Sequence, residues 1–364
     1  MDITRIRPGD HDGAAIEAVL PEILAFDTQI NHASGLGEDF DPREAELRRE
    51  LSSSTAYETH TTWIVRLGGS IVAKGVAFLP LSDNRDTAEL WCAVHPAHRG
   101  QGIGGRLLTV MEEEMRIDGR TRLTSYCELP ATVRDAAPGR AHLAAQIGKG
   151  SLPSGQPDVA FLHRHGYSFI QLERCSVAAA GGAEELSGDP IGDEAADGYV
   201  IETWQGPTPE HRLDQVALLH QRMSTDVPGA AEFGDEEVWD ADRVRTLDAE
   251  RTASAEVLTT SLALLGQTAA GFTEVAHSAD RPQVGWQGST IVAREHRGHR
   301  LGARLKFATL VALGRESSVE RIYTWNAVEN SWMLAINDAV GFETWAWVGV
   351  WRKVLEAPGT DDGA

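Results

Sequence analysis

The chain has 364 residues, 42% hydrophobic and 24% charged, a globular composition at a length that favours two domains over one. It carries 54 acidic and 33 basic residues, for a formal charge of -21. That balance argues against a nucleic-acid partner and against an anionic membrane surface, and leaves two readings: attraction of a cationic acceptor, or simple solubility.

The three cysteines, Cys92, Cys127 and Cys175, show neither metal-ligand nor disulfide spacing, so no metal is expected and a reducing compartment fits. No stretch approaches the roughly 18 apolar residues of a membrane span. The N-terminus lacks an apolar signal core. The expectation is a soluble, cytoplasmic protein, monomeric or homodimeric.

Taken in chain order, helical patterns over 13–26 and 41–51 precede a hairpin of Thr62–Arg66 and Ile71–Leu79. Trp91–Leu108 then reads as a strand, a glycine-rich turn and the start of a helix that runs to about Asp118. A strand at Arg122–Cys127 follows, then a short helix closed by Gly166-Tyr167, then a strand at Ser168–Val177. Ala178–Gly198 is poor in large apolar residues and reads as a linker.

The order then repeats: helical patterns over 209–221 and 236–253, and a hairpin of Ser261–Leu265 and Ala269–Ala276. Ser289–Lys306 aligns without gaps on the earlier segment, with Val292 on Val94, Arg297 on Arg99 and Gly302 on Gly104. A strand at Arg321–Trp325, a helix closed by Gly341-Phe342 and a strand at Trp345–Val354 complete the second half. The repeat predicts a duplicated α/β (α+β) domain: 1–177, linker 178–198, 199–356, and a disordered tail 357–364. The first half holds an extra Ala-, Gly- and Pro-rich stretch within Leu129–Pro157, either a lid or a tolerated surface insertion.

The turn carries the chemistry. Glycines between a strand and a helix let main-chain N–H groups approach a ligand, and the helix N-terminus adds free donors and positive potential, which suits a pyrophosphate. The pattern is neither a P-loop nor a dinucleotide fingerprint. His98-Arg99-Gly100-Gln101-Gly102-Ile103-Gly104 is similar to the acyl-CoA signature of the GNAT superfamily of N-acetyltransferases. Asn330, Met333, Asn337 and Gly341-Phe342 resemble its later motif. The resemblance spans roughly 1–177 and 199–354, in a tandem layout similar to that of mycothiol synthase and other two-domain members.

It implies a mixed, splayed sheet flanked by helices in each half, with acetyl-CoA as co-substrate. The backbone around Cys92 and Val94 would pair with the pantetheine arm, and the turn from Arg99 through Gly105 would hold the pyrophosphate. An amide near Val94 would polarise the acetyl carbonyl. Val292, Arg297, Gly298, Gly302 and Asn330 would be the matching contacts of the second half. Arg300, standing where the first half has Gly102, would either block a phosphate or pair with it.

Direct transfer to an amine needs a base and an acid. Glu89, on the strand before the turn, is the first candidate base, against a reading as a solvated strand-end carboxylate. Glu128 is the second. The ungapped alignment sets Gln287 opposite Glu89, which favours the first half as catalytic. The family's acid is a Tyr four residues before the closing Gly, where this chain has Leu162 and Asn337. Tyr126 is the substitute, against a reading as core packing. His163 and His165 read as acids or as ordinary helix-end partners, and Trp345, Trp347 and Trp351 as one packed strand face. The expected function is N-acetylation of a primary amine on a small molecule or peptide, in secondary-metabolite tailoring or resistance. The alternative is a non-catalytic acyl-CoA-binding regulator.

Overall fold

The computed structural model describes residues 2–135, 141–180, 197–226 and 234–356. In chain order the strands are β1 (Asp2–Ile6), β2 (Glu58–Leu67), β3 (Ser70–Pro80), β4 (Thr87–Val94), β5 (Arg122–Pro130), β6 (His142–Ala144), β7 (Ser151–Pro153), β8 (Ser168–Ala179), β9 (Tyr199–Gln205), β10 (Glu256–Leu265), β11 (Thr268–Ser278), β12 (Arg281–Val292), β13 (Arg321–Ala327) and β14 (Glu343–Val354). The helices are α1 (Gly13–Ser34), α2 (Glu44–Ser52), α3 (Ile103–Ile117), α4 (Ala131–Asp135), α5 (Pro157–Arg164), α6 (Leu213–Asp226), α7 (Ala241–Ala253), α8 (Leu301–Glu316) and α9 (Ser331–Ala339).

The chain divides into two compact units, Met1–Glu173 with Ala346–Ala364, and Arg174–Trp345. The first unit's sheet runs β1-β2-β3-β4-β5-β14-β8, with β14 entering as residues 346–354 and β8 as 168–173. The second runs β9-β10-β11-β12-β13, followed by residues 174–179 of β8. These divisions differ from the sequence-drawn 1–177 and 199–356. The last strand of the chain completes the first unit, paired antiparallel to β5 from Ala346↔Pro130 to Val354↔Arg122. A strand's apolar pattern declares its pleat and not the sheet it joins. The linker, apart from its ends, and the tail lie outside the described residues.

Local chemistry explains the elements that flank the site. Helix α1 starts at Asp12, whose carboxylate accepts from the Ala15 N–H at 2.8 Å, and stops at Gly35 in the left-handed conformation. Helix α3 buries Ile103, Leu107, Leu108, Met111 and Met115, a stripe at helical spacing that holds it to the sheet. Because β4 and β5 are parallel, their connection must cross over the sheet, and α3 makes that crossing. The described part of the extra stretch is a β6–β7 hairpin. It docks along β8 through Gln146 N to Phe169 O and Ile147 N to Ile170 O, two strands away from the β4–β5 pair.

Candidate functional site

Strands β4 and β5 pair only from Thr87↔Arg122 to Glu89↔Thr124, then part. From Leu90 to Val94, β4 keeps its partner β3 on one side and presents an unpaired edge on the other. Such an edge can accept an extended ligand as an added strand. The second unit repeats the fork: β12 and β13 pair from Val284↔Arg321 to Trp286↔Tyr323 and then diverge.

Each fork opens towards its glycine-rich turn. Gly100 and Gly102 take φ of +75° and +76°, and a Cβ on either would stand in open space, so their freedom serves the turn and whatever approaches it. Gly104 does a different job. A Cβ there would lie 3.2 Å from Val94 Cγ2 and 3.3 Å from Phe161 Cε2, so this glycine lets α3 close on β4 and α5. Gly105 likewise makes room for His165, whose Nδ1 bonds the Phe161 carbonyl at 2.8 Å. His165 is therefore packing at the end of α5. Arg99 Nε donates to Val94 O at 3.0 Å and ties the start of the glycine-rich turn back to β4.

The second unit reproduces this geometry with altered residues. Arg297 Nε donates to Val292 O at 3.1 Å, and Gly298 has φ +91°. Arg300 takes φ +55°, ψ +17°, close to the φ +76°, ψ +4° of Gly102, although it carries a side chain. A non-glycine residue held there costs on the order of 1 kcal/mol. Gly302 faces Ile336 as Gly104 faces Phe161. Asn330 caps α9, its Oδ1 accepting from Met333 N at 3.2 Å. Asn337 is fully buried and donates to Asn326 Oδ1 at 2.6 Å, tying α9 to β13.

Strand parity sorts the first unit's side chains onto two faces. Cys92 is paired with Gly75, whose missing Cβ accommodates Met111 of α3, so Cys92 lies on the helix side with Leu90 and Val94. Glu89 is on the opposite face. So are its partner Thr124 and, two and four residues on, Tyr126 and Glu128. The three catalytic candidates are thus brought together on one face of the fork. Tyr126 is 37% exposed, which removes it from the core. Crowding by protein and the charges of Glu58 and Glu173 push the Glu89 carboxyl up to about 7. Crowding also raises Glu128 and the Tyr126 phenol, although both side chains reach solvent. A carboxyl that titrates near neutrality suits a base. Beneath this face, buried Lys74 is paired with Asp27 of α1 and lies 5.6 Å from the centre of the Trp91 ring.

The ungapped correspondence of Gln287 with Glu89 does not hold in the structure. Strand β12 carries a bulge: Thr273 pairs with Thr290, yet Val275 pairs with Gln287, leaving Gly288 and Ser289 opposite Glu274 alone. The bulge moves Gln287 onto the face of α8, where its Oε1 accepts from Lys306 at 3.2 Å. The residue that occupies the place of Glu89 is Trp286, at the last pair of the fork. By the same register Tyr323, Trp325 and Ala327 replace Thr124, Tyr126 and Glu128. Trp286 stacks on Tyr323 and Trp325 with centroids 5.3 and 5.8 Å apart. The face that is ionisable in the first unit is aromatic in the second. The C-terminal tryptophans pack separately: Trp345 meets Tyr323 edge-on, Trp347 takes the Arg134 guanidinium at 4.0 Å, and Trp351 is buried with its Nε1 3.1 Å from Cys127 Sγ.

A parallel-strand fork beside a turn that leads into a helix, occurring twice, is the arrangement of the tandem GNAT fold. Residues 30–134 match the acetyltransferase (GNAT) family. A tandem GNAT protein from the clavulanic acid biosynthesis pathway superposes with a TM-score of 0.73 at 24% identity, over 99% of this chain and 100% of that one. A GCN5-related N-acetyltransferase from Sphaerobacter thermophilus superposes with a TM-score of 0.62 at 17% identity, over 98% and 96%. At these identities the likeness establishes the fold. No curated protein matches the sequence. No helix among the described residues is long and apolar enough to cross a membrane, and no group of metal-ligating side chains occurs among them.

Proposed function

We propose that the chain is an acetyl-CoA-dependent N-acetyltransferase whose chemistry lies in the first unit and whose acceptor is a primary amine of a small molecule or peptide. The observation that carries this reading is the convergence of Glu89, Tyr126 and Glu128 on one face of the β4–β5 fork, beside the glycine-rich turn at 99–105. The pyrophosphate would sit on the amides of Arg99–Gly105 and the pantetheine arm along Leu90–Val94, which fits the unpaired edge and the open space at Gly100 and Gly102. Glu89 would take the ammonium proton, directly or through a water, and a β4 amide on the free edge would stabilise the carbonyl oxygen as charge builds on it. The acidic balance of the chain suits a cationic acceptor and no nucleic-acid or membrane partner. A tailoring or resistance role in the cytoplasm belongs to the same proposal.

The test is thiol release from acetyl-CoA across a panel of primary amines. Amine-dependent release supports the reading. Binding of CoA without release across the panel favours an acyl-CoA-binding regulator, the reading to which Leu162, in place of the family's Tyr, lends weight.

The two turn glycines should separate. Gly102→Val, which strains a left-handed residue and fills open space, is expected to weaken CoA binding at least tenfold while thermal stability falls by only about 1 kcal/mol. Gly104→Val drives side-chain atoms into Val94 and Phe161 and should cost about 1–3 kcal/mol in denaturant melts. Calorimetric titration with CoA and urea unfolding read the two effects apart.

A further inference from the structure

Both units set a lysine amine on the ring of the closing aromatic, on the helix side of the fork, yet they do so from different elements. In the first unit Lys353 of β14 lies 5.5 Å from the centre of the Tyr167 ring, and its Nζ is held by Glu112 Oε2 at 2.7 Å. In the second unit Lys306 of α8 lies 5.4 Å from the centre of the Phe342 ring, and its Nζ donates to Gln287 Oε1 at 3.2 Å. The partner is the difference. Lys353 has a carboxylate, whereas Lys306, only 2% exposed, has a neutral amide and no carboxylate among the described residues.

Gln287 cannot swing away to change this. Its Nε2 donates to the Glu274 carbonyl at 2.6 Å and to Thr273 Oγ1 at 3.0 Å, which fixes Oε1 towards Lys306. Gln287 is also the first β12 residue beyond the Trp286↔Tyr323 pair. Phe342, the other neighbour, packs with Ile322 of β13. The amine therefore stands over the point where β12 and β13 part. In the first unit the same register position is Leu90, at the start of the free edge along which the pantetheine arm is placed.

We propose that Lys306 is an acylation site, the acceptor for an acetyl group delivered by acetyl-CoA lying in the β12–β13 fork. The Nζ lone pair attacks the thioester carbonyl carbon and the N–C bond forms. The C–S bond then breaks, and the departing thiolate takes the proton that the nitrogen gives up. Desolvation without a counter-charge lowers the ammonium to about 7, so near-neutral solution supplies the free amine this step requires. The amide product carries no charge, which removes the cost of keeping an ammonium buried. The inference rests on acetyl-CoA being the ligand of these forks. It does not require the first unit to act on an amine.

The chain has only four lysines, Lys74, Lys149, Lys306 and Lys353, so the site can be assigned without ambiguity. The full-length protein is incubated with acetyl-CoA, and its intact mass and peptide map are followed with time at pH 6, 7 and 8. The expected result is a gain of one acetyl group at Lys306, about tenfold faster at pH 8 than at pH 6. Lys306→Arg should abolish that gain. Gln287→Glu, which supplies a carboxylate and keeps the ammonium charged, should slow it at least tenfold. Acetylation of Lys149 in preference to Lys306, or no gain in mass while CoA binds, overturns the proposal. Amine-dependent thiol release without modified Lys306 would sink this inference and leave the first unit's assignment standing. Modified Lys306 without such release would do the reverse.

Discussion

Replacing Glu89 by Gln is expected to lower amine acetylation by a factor of about 100 to 10,000 at pH 7.5, the range usual for losing a positioned base. Binding of acetyl-CoA should be unchanged, because Glu89 lies on the face opposite Cys92 and away from the turn. The pH profile gives a second readout. With the carboxyl raised to about 7, kcat/KM should climb through that region as the base loses its proton, and the climb should vanish in the variant. Stability gives a third. A carboxyl whose folded value lies above its unfolded one burdens the fold once the unfolded chain ionises, near pH 4.5, and the burden is complete above about 7. The Gln variant should therefore be more stable than the parent at pH 8, by about 1–2 kcal/mol after allowance for its partial access to solvent, and equal to it below pH 4. A variant slower at pH 8 yet no more stable would contradict the environment described for this residue. Full turnover would pass the role of base to Glu128 or to water.

Lys306→Met should raise stability substantially. Burial lowers the Lys306 ammonium from 10.5 to about 7. The sign is that of a depressed base: the unfolded chain takes up a proton below about 10.5 while the folded chain resists until about 7. The penalty therefore grows as pH falls across that window and is constant below it. Methionine fills a similar volume without a charge, so the gain at pH 7 should approach about 5 kcal/mol as an upper limit and shrink towards zero above pH 10.5. Urea unfolding of both proteins at pH 6, 8 and 10.5 reads this directly. An equal difference at all three values would attribute the gain to packing alone.

The residues that announce the fold do so through local chemistry. The two turns were legible because a strand, the glycines and the start of a helix all lie within eighteen residues of each other, and nothing distant is needed to read them. Glu89, Tyr126 and Glu128 were legible as strand positions, and strand parity then placed them on one face. Other features depend on partners remote in sequence. Strands β1 and β9 are short edges with mixed polar residues, so alternation alone does not mark them. The bulge at Gly288 and Ser289 leaves the repeat ungapped in sequence while turning Gln287 to the other face, because an extra residue in a strand alters pairing before it alters composition. Lys306 looks in sequence like any helical lysine. Only the packing of Phe342 and the orientation of Gln287 reveal that it is enclosed.

The allocation of β14 bears on how the protein can be taken apart. A fragment stopped at the linker would lack residues 346–354, and β5 would lose the neighbour to which it bonds from Arg122 through Pro130. The helix-side contacts of Lys353 with Glu112 and of Trp351 with Cys127 and Phe169 would go with it. Such a fragment would present a long, bare edge and a hollow beneath α3, conditions that invite aggregation. The halves of this duplication are therefore no longer separable cassettes: recombination, truncation or separate expression at the obvious sequence boundary would orphan a strand, and a circularly rearranged design that keeps 346–354 beside 122–130 would be the way to isolate the first unit.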